Sequence, residues 1–172
     1  MSQQTQNLMK KISLAKVVLN MGVGKSGEPI ETGKKALEQI TGKKPNARNA
    51  KKAQRDWGVR KGEPIGIAVT VRGNDATELL KKLLVTKDNQ IAEKAFDNEG
   101  NFSFGIKEHI DIPEIKYDPK IGILGLEVSI SLARPGFNIR FNKSKAKVGK
   151  NHRITKNDAI KFLTEEFGVK VV

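Results

Sequence analysis

The sequence predicts an α+β fold in which an antiparallel sheet carries helices on one face and leaves its other face open. Four segments alternate large apolar residues with small or polar ones, which is the pattern of a half-buried strand. Their large residues share one register, whereas the opposite register is dominated by small or polar side chains. The chain between the strands contains segments with helical apolar spacing, and we expect these helices to cover the apolar face.

The four main strands define both faces of the predicted sheet. They span Leu14–Met21, Ile65–Arg72, Asn101–Lys107 and Ile123–Leu132, and a shorter strand is predicted at Phe137–Phe141. Small side chains on the open face allow another large molecule to approach the backbone closely. Because this face has no aromatic residue, docking of folded RNA by its shape fits better than stacking of single-stranded bases. Its acidic residue, Glu127, argues against complete coverage by RNA.

Three helices are predicted, each with a recognisable start or end. They span Pro29–Ile40, Asn74–Leu84 and Thr155–Phe167, and a helical turn is predicted at Ile91–Phe96. Asn74 is expected to act as the N-cap of the second helix. Thr155 and Asp158 have the spacing of a capping box at the start of the third. The segment His109–Pro119 contains two prolines and is predicted to be irregular.

The charge of the chain indicates a polyanionic partner. Its 172 residues carry a net charge of +13, with a pI near 9.9, and predict one domain over 1–172. A cationic segment at Thr41–Lys61 has eight lysines and arginines against one carboxylate, Asp56. A basic loop extension is predicted within 134–156, where Arg134 to Lys156 includes eight cationic residues and no acid. Two such segments favour contacts with nucleic-acid phosphates.

Several classes of function are disfavoured by composition. The chain has no cysteine and two histidines, so neither a thiolate metal site nor a cofactor is expected. No apolar run is long enough to cross a membrane, no secretory signal is apparent, and we expect a non-enzymatic cytoplasmic protein. His109 is expected to be exposed and structural, and His152 to meet phosphate or solvent. Trp57 is expected either to stack on a base or to pack against its own loop.

Two other hypotheses compete with RNA binding. Gly22–Gly27 matches G-x-G-x-x-G, the dinucleotide fingerprint, and suggests a nucleotide-dependent enzyme. Pro29 is expected to break the helix that such a motif requires, and no acidic residue follows at the expected strand end. A membrane-surface protein would need a basic amphipathic helix, but the two basic segments are predicted to be loops.

Six segments of the chain carry a resemblance to a known family. They are KVVLNMGVG (Lys16–Gly24), ALEQITGKKP (Ala36–Pro45), ARNAKKAQRDWGVRKG (Ala47–Gly62), PIGIAVTVRG (Pro64–Gly73), GNFSFGIKEHIDIPEIKYDP (Gly100–Pro119) and IGILGLEVSISLARPG (Ile121–Gly136). In these segments, which run in order over nearly the whole length, the chain resembles the large-subunit ribosomal protein family L-five. The tail, Arg134–Gly168, resembles the archaeal and eukaryotic branch of that family rather than the bacterial one.

This resemblance implies a structural protein of the large subunit that binds 5S ribosomal RNA through its open sheet face. It further implies attachment of that RNA to 23S ribosomal RNA in the central protuberance, and contacts with neighbouring ribosomal proteins, including a small-subunit protein. The residues expected to bind ribosomal RNA are Asn20, Lys43, Thr70, Arg72, Lys107, Arg140, Lys143, Lys145, Lys147 and Arg153. Lys43 stands where many relatives have glutamine. Lysine keeps a long side chain that donates hydrogen bonds, but it lacks the amide oxygen with which glutamine accepts them.

The resemblance also implies a second RNA partner for the cationic segment. The loop around Asn49–Arg60 is similar to one that reaches the elbow of P-site transfer RNA. The residues expected to contact its phosphates are Arg48, Lys51, Lys52, Arg55 and Arg60.

Overall fold

A five-stranded antiparallel sheet organises the structure. The computed structural model describes residues 7–24, 27–113, 115, 118–119, 121–142 and 147–172. The strands are β1 (Ser13–Gly22), β2 (Asn46–Asn49), β3 (Pro64–Val71), β4 (Gln90–Ile91), β5 (Phe102–Ile106), β6 (Leu126–Ala133) and β7 (Lys170–Val171). The large sheet has the order β2-β3-β1-β6-β5, and β4 pairs with β7 in a separate parallel pair.

Three α-helices supply the second layer of the fold. They are α1 (Glu28–Thr41), α2 (Asn74–Val85) and α3 (Lys156–Phe167). Each helix contributes buried residues to the apolar cluster that also contains the inward side chains of the sheet. The predicted α+β class with an antiparallel sheet is therefore confirmed.

The sheet buries the same alternating large residues that the sequence predicts to face the core. The inward residues of β1 are buried between matching positions on both neighbouring strands, Val17 between Val71 and Ile130, and Leu19 between Val69 and Val128. Because directly opposed residues of antiparallel strands lie on the same face, these pairs form continuous apolar rows. A shift of one residue would expose all of them, so the pattern fixes the pairing strongly.

Gly33 allows α1 to lie close against the sheet. A Cβ atom built at this buried position would lie 2.6 Å from Ile67 Cδ1 and 3.3 Å from Met21 Sδ. The glycine costs some helix propensity, but any larger residue would force the Ile67 and Met21 side chains or the helix itself to move.

The start of α3 is the capping box predicted from the sequence. The Thr155 hydroxyl accepts a hydrogen bond from the Asp158 N–H, and the Asp158 carboxylate accepts one from the Thr155 N–H, both at 3.3 Å. Gly168 ends the helix in the left-handed conformation, with φ of 65°.

Replacement of Thr155 by alanine should lower the free energy of unfolding by about 1 kcal/mol, because the Asp158 N–H loses its acceptor at the helix end. Urea denaturation monitored by circular dichroism measures this change. Thr155→Ser keeps the hydroxyl and should remain close to the parent protein, and equal losses in both variants would contradict a role for the cap.

Three predicted boundaries or elements were wrong, and two short strands were missed. Asn74 is the first residue of α2, and Gly73, with φ of 73°, occupies the N-cap position. Phe137–Phe141 forms a short 3₁₀ helix instead of a strand. The last long strand begins at Leu126, not at Ile123, which is exposed. The short strands β4 and β7 were missed, because two-residue strands show no periodicity.

Candidate nucleic-acid interface

The face of the sheet opposite the helices carries mostly short side chains in rows that cross the strands. We call this surface the bare face. One row of directly opposed residues crosses all five strands, from β2 at one edge to β5 at the other. The adjacent row crosses four strands, β3, β1, β6 and β5. The bare face comprises Lys16, Val18, Asn20, Asn46, Arg48, Gly66, Ala68, Thr70, Ser103, Gly105, Glu127, Ser129 and Ser131.

The β5 side of the bare face is open to solvent. Ser103, Gly105 and Glu127 are exposed, and a Cβ atom at Gly105 would meet nothing within 4 Å. The helices contribute their buried residues to the opposite side of the sheet. A flat macromolecular surface could therefore approach Ser103 and Gly105 closely, with Glu127 as the long side chain that it would meet.

Burial near β3 comes from neighbouring strands. Ala68 is buried, and it lies opposite Asn20 on one side and Asn46 on the other. A Cβ atom at Gly66 would lie 3.2 Å from the Met21 carbonyl oxygen and 4.0 Å from Arg48 Cβ. Two amides thus flank a shallow apolar floor, an arrangement that offers both donors and acceptors to a ligand.

Four predicted ribosomal-RNA contacts lie on this face or at its edges. Asn20 and Thr70 are half-buried on the bare face, in adjacent rows. Arg72 and Lys107 are exposed, and each lies one residue beyond the end of its strand, β3 or β5. Hydrogen-bonding groups therefore occupy the middle of the surface, with cations at strand ends.

Lys43 is already engaged in an ion pair. Its Nζ atom lies 2.7 Å from Asp75 Oδ2 in the first turn of α2, and both side chains are partly exposed. The hydrogen bond from Lys43, together with its charge, lowers the pKa of the Asp75 carboxyl below its ordinary value. A phosphate would have to compete with Asp75 for this ammonium group.

The cationic segment is only partly a loop, which corrects the sequence-based interpretation. Residues Asn46–Asn49 form β2, an edge strand that pairs with β3. Arg48 lies opposite Gly66, so the geometry places it on the bare face and not in the loop that follows. Only four residues long and rich in polar groups, β2 gave no alternating apolar signal.

The chain from residue 50 to residue 63 projects from the end of β2 and β3, and we call it the basic loop. The Ala50 N–H donates to the Glu63 carbonyl at 2.8 Å, and the Gly62 N–H donates to the Ala50 carbonyl at 2.9 Å. Lys51, Lys52, Arg55 and Arg60, predicted to contact transfer RNA, are all exposed on it. Its closed base makes the basic loop a defined projection that presents several cations together.

The basic extension is held against the start of α3 by one of its own arginines, Arg134. The sequence-based interpretation treated this arginine only as one more positive charge. The Arg134 guanidinium is mostly buried and lies 3.1 Å from Asp158 Oδ2. It also donates to the Arg153 carbonyl at 3.2 Å. Arg134 therefore fastens the extension to the start of α3 and is not available to a phosphate.

The remaining predicted contacts of the extension differ in their surroundings. Arg140 pairs with Glu99 at 2.6 Å and lies over the Phe137 ring, while Arg153 donates through Nε to the Val148 carbonyl at 3.3 Å. Lys147 is exposed. Lys143 and Lys145 lie outside the residues that the structure describes.

Both histidines have structural surroundings. The prediction that His109 is exposed was wrong, because its side chain is buried and Nδ1 accepts from the Leu124 N–H at 3.3 Å. His152 Nε2 lies 2.8 Å from the Pro135 carbonyl, to which it donates. An isolated histidine between Glu108 and Ile110 gave no sequence signal for burial.

The glycine-rich motif lies between a strand and a helix, but its sheet context does not match a dinucleotide-binding unit. The strands that precede and follow α1 in the chain, β1 and β2, are not neighbours in the sheet, because β3 lies between them and pairs antiparallel with both. A dinucleotide-binding unit is instead built on a mostly parallel sheet. The helix is not already running where the chain reaches Pro29, because α1 begins only at Glu28. Pro29 lies in the first turn of α1, where proline is tolerated. Lys25 and Ser26 lie outside the described residues.

The described residues offer neither a metal-binding cluster nor a membrane-spanning helix. Among them, no three histidine, aspartate or glutamate side chains are grouped so that they could hold a metal ion. None of the helices in the described part of the chain has the length and apolar character that crossing a membrane requires.

Comparison with known proteins gives a consistent result over the chain. Residues 7–60 match the family described as Ribosomal protein L5, and residues 64–162 match the model that describes the C-terminus of the same ribosomal family. The Large ribosomal subunit protein uL5 of Nitrosopumilus maritimus is 66% identical over 172 residues, covering 99% of each chain. That of Cenarchaeum symbiosum is 59% identical, covering 95% of this chain and 98% of its own. That of Sulfurisphaera tokodaii is 46% identical, covering 98% and 97%.

Proposed function

Because the chain belongs to the ribosomal protein L5 family and is thus a structural, non-enzymatic component of the large ribosomal subunit, we propose that it binds 5S ribosomal RNA through the bare face. The observation that carries this proposal is a strand surface of short polar side chains with cations at its edges. Asn20 and Thr70 would donate and accept hydrogen bonds at its centre. Arg48, Arg72 and Lys107 would meet phosphates at its margins.

The charge distribution supports an RNA partner for this surface. Glu127 is the acidic residue of the bare face, and it lies opposite Asn20 and Gly105. The rest of the protein contributes a strongly positive field, with a net charge of +13. A positive field of this strength attracts the phosphates of an RNA backbone. A single carboxylate on the bare face favours a position of the RNA in which a hydrogen-bond donor faces Glu127.

We assign separate RNA contacts to the two basic segments. The basic loop projects from the sheet end, so its exposed cations would reach the P-site transfer RNA while the bare face holds 5S RNA. The extension, with Arg140, Lys147 and Arg153 and with Lys143 and Lys145, would contact 23S ribosomal RNA. Neighbouring ribosomal proteins, including one of the small subunit, complete the proposed partners.

The test is binding of purified protein to 5S RNA across a range of salt concentrations. We expect the logarithm of the association constant to fall linearly with the logarithm of salt concentration, by roughly 0.7–0.9 per phosphate contacted. Binding that is absent at low ionic strength would overturn the proposal.

Simultaneous replacement of Arg55 and Arg60 by alanine should leave 5S RNA affinity within about twofold of the parent. It should weaken transfer-RNA binding to the protein–5S RNA complex by about tenfold, because two phosphate contacts are lost. The control variant, with Lys35→Ala and Lys81→Ala on exposed helix positions, removes the same charge elsewhere. Equal losses for both RNAs would refute separate roles for the bare face and the basic loop.

A further inference from the structure

Trp57 is an exposed aromatic residue at the tip of the basic loop. It is the only tryptophan in the sequence, and its side chain is 79% exposed. It ends a single 3₁₀ turn, Arg55–Trp57, and the described residues that pack against the apolar core do not include it. This exposure leaves little of the indole packed against its own loop, so most of its surface is accessible to a partner.

Backbone hydrogen bonds hold this tip in a defined conformation. Gln54 and Val59 exchange two hydrogen bonds of 2.9 and 3.0 Å across the base of the turn. The Gly58 N–H donates to the Arg55 carbonyl at 3.0 Å, and Gly58 has φ of 65°, a conformation that suits glycine. The indole is thus presented by a closed turn, which lowers the entropy lost when a partner binds it.

The residues around Trp57 indicate the chemistry of that partner. Lys51, Lys52, Arg55 and Arg60 are exposed in the same loop. The loop has two acids, Asp56 at its tip and Glu63 at its base, where the Glu63 carboxylate accepts from the Arg60 N–H at 3.0 Å. An anionic partner that also offers flat apolar surfaces would satisfy both the charges and the indole. RNA has both features wherever a base is not enclosed in a helical stack.

We propose that Trp57 is a stacking site for an exposed nucleobase of the transfer RNA that the basic loop binds. This inference rests on the function proposed above and adds a contact of a different kind. The cations hold phosphates without regard to sequence, and the indole places the loop against one unstacked base. Stacking on an aromatic ring tolerates any base, so the site requires an accessible base and not a particular sequence.

Intrinsic fluorescence tests the contact directly, since every tryptophan signal comes from residue 57. The protein is first saturated with 5S RNA, and transfer RNA or inorganic polyphosphate is then added at equal phosphate concentration. We expect transfer RNA to quench at least about half of the emission and polyphosphate, which has no bases, to leave it nearly unchanged. Equal quenching by both would overturn the inference.

Two variants separate stacking from simple apolar contact. Trp57→Leu should weaken transfer-RNA binding by about tenfold, whereas Trp57→Phe should recover most of the affinity because it keeps an aromatic face. Neither substitution should change how transfer-RNA affinity depends on salt concentration, because neither removes a phosphate contact. Indistinguishable affinities for the leucine and phenylalanine variants would refute stacking.

The outcomes also separate this inference from the function on which it rests. Transfer-RNA binding that depends on Arg55 and Arg60 but leaves the fluorescence unchanged would refute stacking and retain the proposed function. Absence of transfer-RNA binding at low salt would refute the transfer-RNA contact itself. A blue shift with phosphatidylglycerol vesicles, without any response to transfer RNA, would identify a membrane surface as the partner and overturn the inference.

Discussion

Two carboxylates introduced on the bare face, by Ser103→Glu with Ser129→Glu, should reduce the affinity for 5S ribosomal RNA by at least about a hundredfold. Ser103 and Ser129 lie opposite each other on β5 and β6, and Ser103 is exposed. Each new charge would face phosphates at close range and would also fill space that the short serine side chains leave open. A loss of roughly 1.4 kcal/mol at each position gives the hundredfold change. Filter binding at fixed salt measures it.

The control for this prediction adds the same charge to the helical side. Gln39→Glu with Asn157→Glu alters two exposed positions on α1 and α3 and should change 5S RNA affinity only by a small, salt-dependent amount. Both double variants should still unfold cooperatively, and the serine variant should do so at a somewhat lower urea concentration, because its two new carboxylates face each other across β5 and β6. If the two variants lost affinity equally, net charge and not the bare face would govern binding.

The sheet could be predicted in detail because each main strand shows the same alternation. Val17 and Leu19 lie between core residues of both neighbouring strands, and Met21 lies opposite Ile67 of β3. The alternation of these large residues therefore follows directly from their burial. Asn20 and Thr70 follow from the same alternation, as members of the opposite register. Periodicity therefore locates both the core and the candidate interface, since a two-residue repeat assigns the two faces together.

Features made by contacts between distant segments could not be predicted. In the sequence, Arg134 looks like any other arginine that could bind a phosphate. Its partner Asp158 is 24 positions away along the chain and contacts it only in the folded protein. Lys43 is likewise committed to Asp75, which the fold brings to it from the first turn of α2. Arg48 belongs to the bare face only because β2 pairs with β3. Charge counts treat all cations alike, whereas the fold decides which of them remain available to RNA.

Gly100→Ala should destabilise the protein by about 3 kcal/mol, through two effects at one buried glycine. Gly100 has φ of +77°, a left-handed conformation that costs a residue with a side chain about 1–2 kcal/mol. Its added Cβ atom would also collide with Ile154 Cγ2 and lie 3.1 Å from Ile154 Cβ. Ile154 is buried next to the N-cap of α3, so it has little room to move, and overpacking adds roughly 1–3 kcal/mol.

Urea denaturation of a matched glycine separates these two effects. Gly168 has φ of +65° and nothing within 4 Å of an added Cβ atom, so Gly168→Ala should show only the conformational cost, about 1 kcal/mol. The difference between the two alanine variants measures the collision with Ile154. In the double variant Gly100→Ala with Ile154→Ala, the combined loss should be smaller than the sum of the single losses, because the colliding methyl group is gone. Strict additivity would show that backbone strain alone penalises a side chain at Gly100.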